Sequence, residues 1–164
     1  MIDQDLTYKS IIAVLDSNHS EYKLFSHRPA LTYEDLEAVR KDTGFFGTEG
    51  KCMVLKADDG FVVYVTIFSK KLNFDKIKGI LHTKKARLAS KEELMEYFGA
   101  EPGCAYPFGF GNDVPIYVDP DIYLQDWFLF SPLFPTKTIQ IKGSDLKNIF
   151  NSLSNEIIET KEFS

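Results

Sequence analysis

Gly99-Ala-Glu-Pro-Gly-Cys-Ala-Tyr-Pro-Phe-Gly-Phe-Gly-Asn-Asp-Val-Pro-Ile-Tyr-Val-Asp119 holds four of the chain's ten glycines and three of its seven prolines. Residues that readily take φ > 0, or whose φ is locked, build helix and sheet poorly. The stretch also carries Tyr106, Phe108 and Phe110, which a flexible linker rarely contains. Its composition predicts a rigid, partly buried loop that offers backbone N–H groups. An ordinary long surface connection is the alternative that composition leaves open.

Regular structure is expected on both sides of this loop. Just before it, Ser90-Lys-Glu-Glu93 is a capping box, so a helix starts there and ends before Gly99. After it, Val114 to Val118 reads as a short strand. Nearer the N-terminus, Leu6, Ile11, Ile12 and Leu15 stand near helical spacing and predict an opening helix over 5–17. Tyr22 to Ser26 reads as a strand ending at His27-Arg28-Pro29. Thr32 then caps a helix with acids in its first turn, running to about Asp42 and stopping at Gly44.

Gly47 to Gly50 reads as a break, and Lys51 opens a strand. Asp58-Asp59-Gly60 is a hairpin turn signal. Phe61 to Phe68 has apolar residues on both alternating sets, as expected of a strand buried on both faces. Asn73 caps a short helix to Leu81, and Ala86 to Ala89 is a brief strand. Trp127–Ser131 and Thr138–Lys142 are further strands. Ser144 is expected to cap a last helix through about Leu153, and Ile157–Lys161 a terminal strand. Strands in adjacent runs with helices between the groups predict an α+β fold with a mixed sheet.

The 164 residues fit a single domain, 1–164, large enough for a real core. The chain has no run of ~18 apolar residues to span a membrane, and its acidic start lacks the features of a signal peptide. A cytoplasmic protein is the expectation. Cys52 and Cys104 are too few for a disulfide framework, and no Cys/His cluster suggests a metal. The net charge of −5 is unevenly spread: residues 70–87 carry about +6 and the rest about −11. Such a patch, with Lys84 and Lys85 at its end, can hold a polyanion on an acidic protein, although a solvated helix face has the same composition.

Several of these pieces, in this order, resemble the YbaK/ProX family of aminoacyl-tRNA deacylases, free-standing editing domains related to one inserted in bacterial prolyl-tRNA synthetases. The residues that carry the resemblance begin with His27-Arg28-Pro29 and Gly50-Lys51-Cys52-Met53-Val54-Leu55. Next come Lys84-Lys85-Ala86-Arg87-Leu88-Ala89-Ser90 with Glu92-Glu93-Leu94, then Gly103-Cys104-Ala105-Tyr106-Pro107-Phe108-Gly109. Asn112-Asp113 and the strand closing on Asp119 complete the set. Phe128-Leu129-Phe130-Ser131-Pro132-Leu133, with Thr138-Ile139 and Ser144-Asp145-Leu146, is most similar to the branch that clears alanine from proline tRNA.

That branch tends to have asparagine where this chain has Cys52, and histidine where it has Ser131. The resemblance implies a YbaK/ProX-like fold, with a mixed, mostly antiparallel, barrel-like sheet flanked by helices. It also implies a deacylase acting at the acceptor end of a mischarged aminoacyl-tRNA, with alanine, serine and threonine all open as the residue removed. An aminoacyl-tRNA synthetase is a further possible partner, and neither metal nor organic cofactor is implied.

The reaction so implied needs oxyanion stabilisation and placement more than a nucleophile, because the ester is activated and a ribose hydroxyl adjoins it. Gly103 lets the backbone come close and Pro107 fixes the exit. The N–H groups of Cys104, Ala105 and Tyr106 can then point at one carbonyl oxygen. Lys51 can reach a phosphate or the ribose. His27 is a candidate for contact with the terminal adenosine, for acid–base work, or for a structural bond to a nearby carbonyl.

Tyr33, Phe45, Phe46 and Phe108 are candidates to stack on the adenine, or else core residues. Cys52, Ala105 and Ser131 are small enough to line a size-selecting pocket. Two rival readings stay open: a thiol hydrolase with Cys104 as nucleophile and His27 or His82 as base, and a module that binds tRNA or a synthetase without turnover.

Overall fold

The computed structural model describes residues 2–58 and 60–164. In chain order its elements are α1 (Gln4–Ser17), β1 (Tyr22–Ser26), α2 (Tyr33–Thr43), β2 (Thr48–Ala57), β3 (Gly60–Ile67), α3 (Phe74–Leu81) and β4 (Arg87–Leu88). They continue with α4 (Lys91–Phe98), β5 (Ile116–Val118), a 3-10 turn (Pro120–Leu124), β6 (Trp127–Phe130), β7 (Lys137–Lys142), α5 (Gly143–Ser152) and β8 (Ile157–Glu159).

The strands join in the order β1-β7-β6-β2-β3-β5-β8, with β4 added to β2. Pairings β1–β7, β7–β6, β2–β3 and β2–β4 are antiparallel. Pairings β6–β2, β3–β5 and β5–β8 are parallel. The parallel pairs are those joined by long crossovers, as parallel geometry requires. The result is an α+β fold with a mixed sheet, its path open between the edges β1 and β8.

β3 is the strand whose two-sided apolar pattern called for burial on both faces. Val63 and Val65 enter the main core with Ile116, Val118 and Phe130. Val62 and Tyr64 enter a second cluster with Ile77 and Phe163 on the other face. The helix starts follow their capping residues. Thr32 and Ser90 each close a reciprocal capping box, Asn73 accepts from the Lys76 N–H, and Gly44 ends α2 with φ 85°.

Two expectations are corrected. The glycines at 47 and 50 do not break the chain, because β2 begins at Thr48. At Gly50 a Cβ would lie 2.2 Å from Phe128 Cζ and 2.7 Å from the Leu129 carbonyl oxygen, so the missing side chain is what lets β6 approach β2. Ser144 does not cap α5, whose first residue is Gly143 and whose N-terminus has no side-chain cap. A Cβ on Gly143 would sit 2.0 Å from the Gln125 carbonyl oxygen, so the close turn over the 3-10 segment sets that start. In the β2–β3 hairpin, Ala57 pairs with Gly60, and Asp59 of the expected turn lies outside the described residues.

The loop from 99 to 115 is pinned by its own side chains. The Tyr106 hydroxyl donates to the Phe98 carbonyl oxygen at 2.8 Å, and Phe110 packs on both Phe98 and Tyr106. Phe108 is buried between Phe130 and Phe150. Asn155 Nδ2 donates to the carbonyls of Gly111 and Val114, each at 2.9 Å.

Candidate active site

A cleft of about 240 Å³ opens between the N-terminal end of α2 and the first half of β2. Residues 30–33 and Leu36 form one wall, and Glu49 to Met53 form another. Gly103 and Ala105 close one side, and Phe130, Ser131, Lys137 and Thr138 close the end. Gly103 has φ +89° and its Cα comes so near the loop before α2 that a Cβ would be 2.5 Å from the Leu31 carbonyl oxygen. Only glycine fits that contact without displacing backbone.

Lys51 stands on β2 with its ammonium donating to the Lys70 carbonyl oxygen and 5.9 Å from the centre of the Phe68 ring. It pairs with no carboxylate among the described residues, and burial pulls its pKa below the ordinary lysine value. A dipole satisfies one of its protons, so its charge stays available to an anion. Lys70 is held in turn: its Nζ is 2.6 Å from Asp119 Oδ2 and 2.6 Å from Asp121 Oδ2. Asp119 is fully buried and also accepts from Thr66 Oγ1 at 2.7 Å.

His27 lines the cleft, but both ring nitrogens are engaged. Nδ1 is 2.7 Å from the Arg28 carbonyl oxygen, which can only accept, so Nδ1 carries a proton. Nε2 is 2.8 Å from Thr138 Oγ1. The geometry is that of a positioned wall residue. Cys52, Ala105 and Ser131 line the same cleft, and the Ser131 hydroxyl donates to the Phe134 carbonyl oxygen at 3.4 Å. At the rim, Tyr33 and Phe68 stack with ring centres 4.4 Å apart and an 11° interplanar angle. Both rings are about two-fifths exposed, at 41% and 44%.

Other expected site residues lie elsewhere. Cys104 is fully buried outside the cleft lining, and its N–H donates to the Glu101 carbonyl oxygen at 2.9 Å, so that amide is not free for an oxyanion. Tyr106 and Pro107 are buried behind the loop, and Phe108 belongs to the core. Phe45 is buried beside Phe25 and His27, and Phe46 packs on Trp127 at another surface. Among the described residues the N–H groups of Gly103 and Ala105, both on residues that line the cleft, donate to no protein acceptor.

The cysteines offer no nucleophile. Burial pushes the Cys104 thiol up to about 11, and burial together with Glu49 pushes Cys52 far above its ordinary range. Cys104 is enclosed as well as protonated, which leaves a thiol unreactive, whereas Cys52 is half-buried on the cleft wall and is disfavoured by its raised thiol alone. His82 ends α3 in the left-handed region and is not among the residues lining the cleft.

Lys84 and Lys85 belong to a second, open groove with Lys56, Lys78 and Arg87. Lys51 and Lys56 are five residues apart on β2, or roughly 17 Å along an extended strand. The basic stretch is therefore divided: Lys70 faces the Asp119 network, while Arg87 makes two bonds to Glu93, at 2.8 and 2.9 Å.

Sequence reasoning passed over Glu49, placed in the expected glycine break. Its side chain is 10% exposed and its Oε2 is 3.0 Å from Arg40 Nη2. Burial raises its carboxyl to about 7 against the lowering effect of Arg40. An acid beside the Gly50-Lys51 pair was the visible signal. Its partner Arg40 comes from α2, which local pattern does not connect to β2.

Among the described residues no helix is long and apolar enough to cross a membrane. The family described as the aminoacyl-tRNA editing domain matches residues 27–149. A proline–tRNA ligase of Bacillus velezensis is 42% identical over 69 residues, which cover 42% of this chain and 12% of the ligase, so the chain spans about an eighth of that relative. The prolyl-tRNA editing protein ProX of Acetoanaerobium sticklandii is 24% identical over 153 residues, covering 90% of this chain and 92% of that protein. A crystal structure of a candidate trans-editing enzyme for prolyl tRNA synthetase superposes with a TM-score of 0.69 at 19% identity, covering 93% of this chain and 95% of the other. With three-quarters of its length inside the family match, this chain belongs to the aminoacyl-tRNA editing domain family.

Proposed function

We propose that this protein is a free-standing deacylase that hydrolyses the ester between a small amino acid and the terminal ribose of a mischarged tRNA. Proline tRNA is the expected carrier, and alanine, serine or threonine the residue removed. One observation carries the reading: an ammonium with no carboxylate partner, Lys51, shares a small cleft with an unengaged amide, Ala105 N–H.

In this reading a water adds to the ester carbonyl, and the Ala105 N–H donates to the oxyanion that develops. Lys51 holds the ribose–phosphate end by charge. One such amide contributes about 2.7–4 kcal/mol to a transition state in a site of this kind. A cleft of about 240 Å³ is smaller than the ~300 Å³ at which pockets for whole drug-sized ligands begin, so it takes the aminoacyl ester and leaves the adenine outside. There the exposed Tyr33–Phe68 pair offers a face for the base to extend the stack. Cys52, Ala105 and Ser131 set the size limit on the amino acid.

The test is a panel of alanyl-, seryl-, threonyl- and cysteinyl-tRNAs on matched and mismatched tRNAs, incubated with purified protein and scored for release. Release of one or more small residues is expected. Binding of tRNA without release of any amino acid would instead favour a non-catalytic module.

A further inference from the structure

The cleft lining contains a single acid among the described residues, Glu49, in a site otherwise marked by the cations Lys51 and Lys137. Glu49 precedes Lys51 by two positions on β2, so the two side chains leave the same face about 7 Å apart along the strand. The two carboxylate oxygens differ. Oε2 accepts from Arg40 Nη2 at 3.0 Å, and Arg40 is also 3.5 Å from Glu37. Oε1 accepts from no described residue, yet it is not among the sealed side-chain atoms without a partner. It is open, on a residue only 10% exposed that lines this cleft and no other pocket described above.

A half-satisfied carboxylate in a confined, partly dry site is matched by a cationic donor. The substrate of the proposed reaction has one cation near its reacting carbon, the ammonium on the adjacent carbon. Its anions lie beyond the ribose. The cleft has the same polarity: an acid at one position and Lys51 two residues further along.

Resting on the deacylase reading, we infer that Glu49 Oε1 binds the α-ammonium of the aminoacyl ester, so that the cleft selects a free amine as well as a small side chain. The raised carboxyl of Glu49 accords with this, since Arg40 alone does not hold it fully ionised near neutrality. N-blocked and α-hydroxy acyl esters lack the cation and are poorer substrates.

The test compares aminoacyl-tRNA with the α-hydroxyacyl-tRNA made from it by nitrous acid deamination. Wild-type protein is expected to favour the amine in kcat/KM by roughly tenfold to a hundredfold, the range of a charge-assisted hydrogen bond. Glu49→Gln should collapse that ratio toward one, and Glu49→Asp should keep part of it. A folded Glu49→Gln protein with the wild-type ratio would overturn the inference and leave the deacylase reading intact. Failure of the wild type to hydrolyse any of the esters would overturn that reading first.

A binding measurement on wild-type protein covers the case in which Glu49→Gln does not fold. Non-hydrolysable 3′-amide analogues of adenosine, with an α-amine or an α-hydroxyl, are titrated separately. Tighter binding of the amine is expected, and equal affinities would overturn the inference.

Discussion

Lys51 donates its ammonium to the main-chain carbonyl of Lys70, and Lys70 is tied by its own ammonium to Asp119 and Asp121. The cleft lysine is thus oriented by a dipole, on a residue whose own charge is matched by Asp119 and Asp121.

Lys51→Ala should lower kcat/KM for a mischarged aminoacyl-tRNA by about 100-fold or more, with the melting temperature little changed, because the side chain is not part of the core. Lys51→Arg should recover little of the loss, since a planar guanidinium cannot reproduce the compact ammonium at that carbonyl. Wild-type turnover in Lys51→Ala would place the site elsewhere. Deacylation assays with thermal melts decide the matter.

Asp119→Ala should act at a distance from the cleft. It leaves the Lys70 ammonium and the Thr66 hydroxyl without their buried acceptor. Because Lys70 keeps Asp121 and is 26% exposed, the cost is expected at the lower end for a broken buried pair, about 3 kcal/mol by urea unfolding. Activity measured below the unfolding transition should also fall, as the Lys70 carbonyl that orients Lys51 loses its anchor.

Cys104→Ala separates the backbone reading from the thiol reading. With the thiol enclosed and held protonated, turnover should stay within about threefold of wild type and stability should fall by only about 1 kcal/mol. Complete loss of turnover in a folded Cys104→Ala protein would restore the thiol as nucleophile.

The pH profile of stability carries the signature of Glu49. Its carboxyl is raised from 4.5 to about 7 on folding, with Arg40 and Glu37 on α2 and Cys52 on β2 as its charged or titratable neighbours. Between these values the folded chain binds more protons than the unfolded one, so this residue's contribution to stability falls as pH rises. Across that window wild type should lose melting temperature relative to Glu49→Gln. Parallel melting curves for the two proteins would contradict the raised carboxyl.

Neutralising Lys84 and Lys85 together tests the second groove. If both meet phosphates, the slope of log KM against log salt should flatten by about 1 to 2, with kcat little affected. An unchanged slope would return the groove to ordinary solvated surface.

Local chemistry made much of this fold readable. Thr32, Asn73 and Ser90 announced three helix starts through side-chain acceptors within three residues of their donors. Phe61 to Phe68 announced a strand buried on both faces. What local pattern missed was close approach between distant segments. Gly50 looks like a break until Phe128 is seen to occupy the space of its Cβ, and that misreading concealed Glu49. Cleft residues Lys51, Cys52, Ala105 and Ser131 could be named from the sequence because their motifs are contiguous. The turn that engages the Cys104 amide and the separation of Lys84 from the cleft depend on packing that no local motif encodes.

One feature of β2 bears on fidelity. The strand that supplies both the acid and the lysine is laced to β6, β3 and β4. Its amides should exchange with deuterium only when most of the sheet comes apart. In the proposed reading, the β2 wall of the cleft resists opening to a bulkier amino acid, while Gly103, Ala105 and Ser131 on its other sides stand outside the strands. On that reading, a new residue at position 52 would change what this protein tolerates more readily than a looser β2.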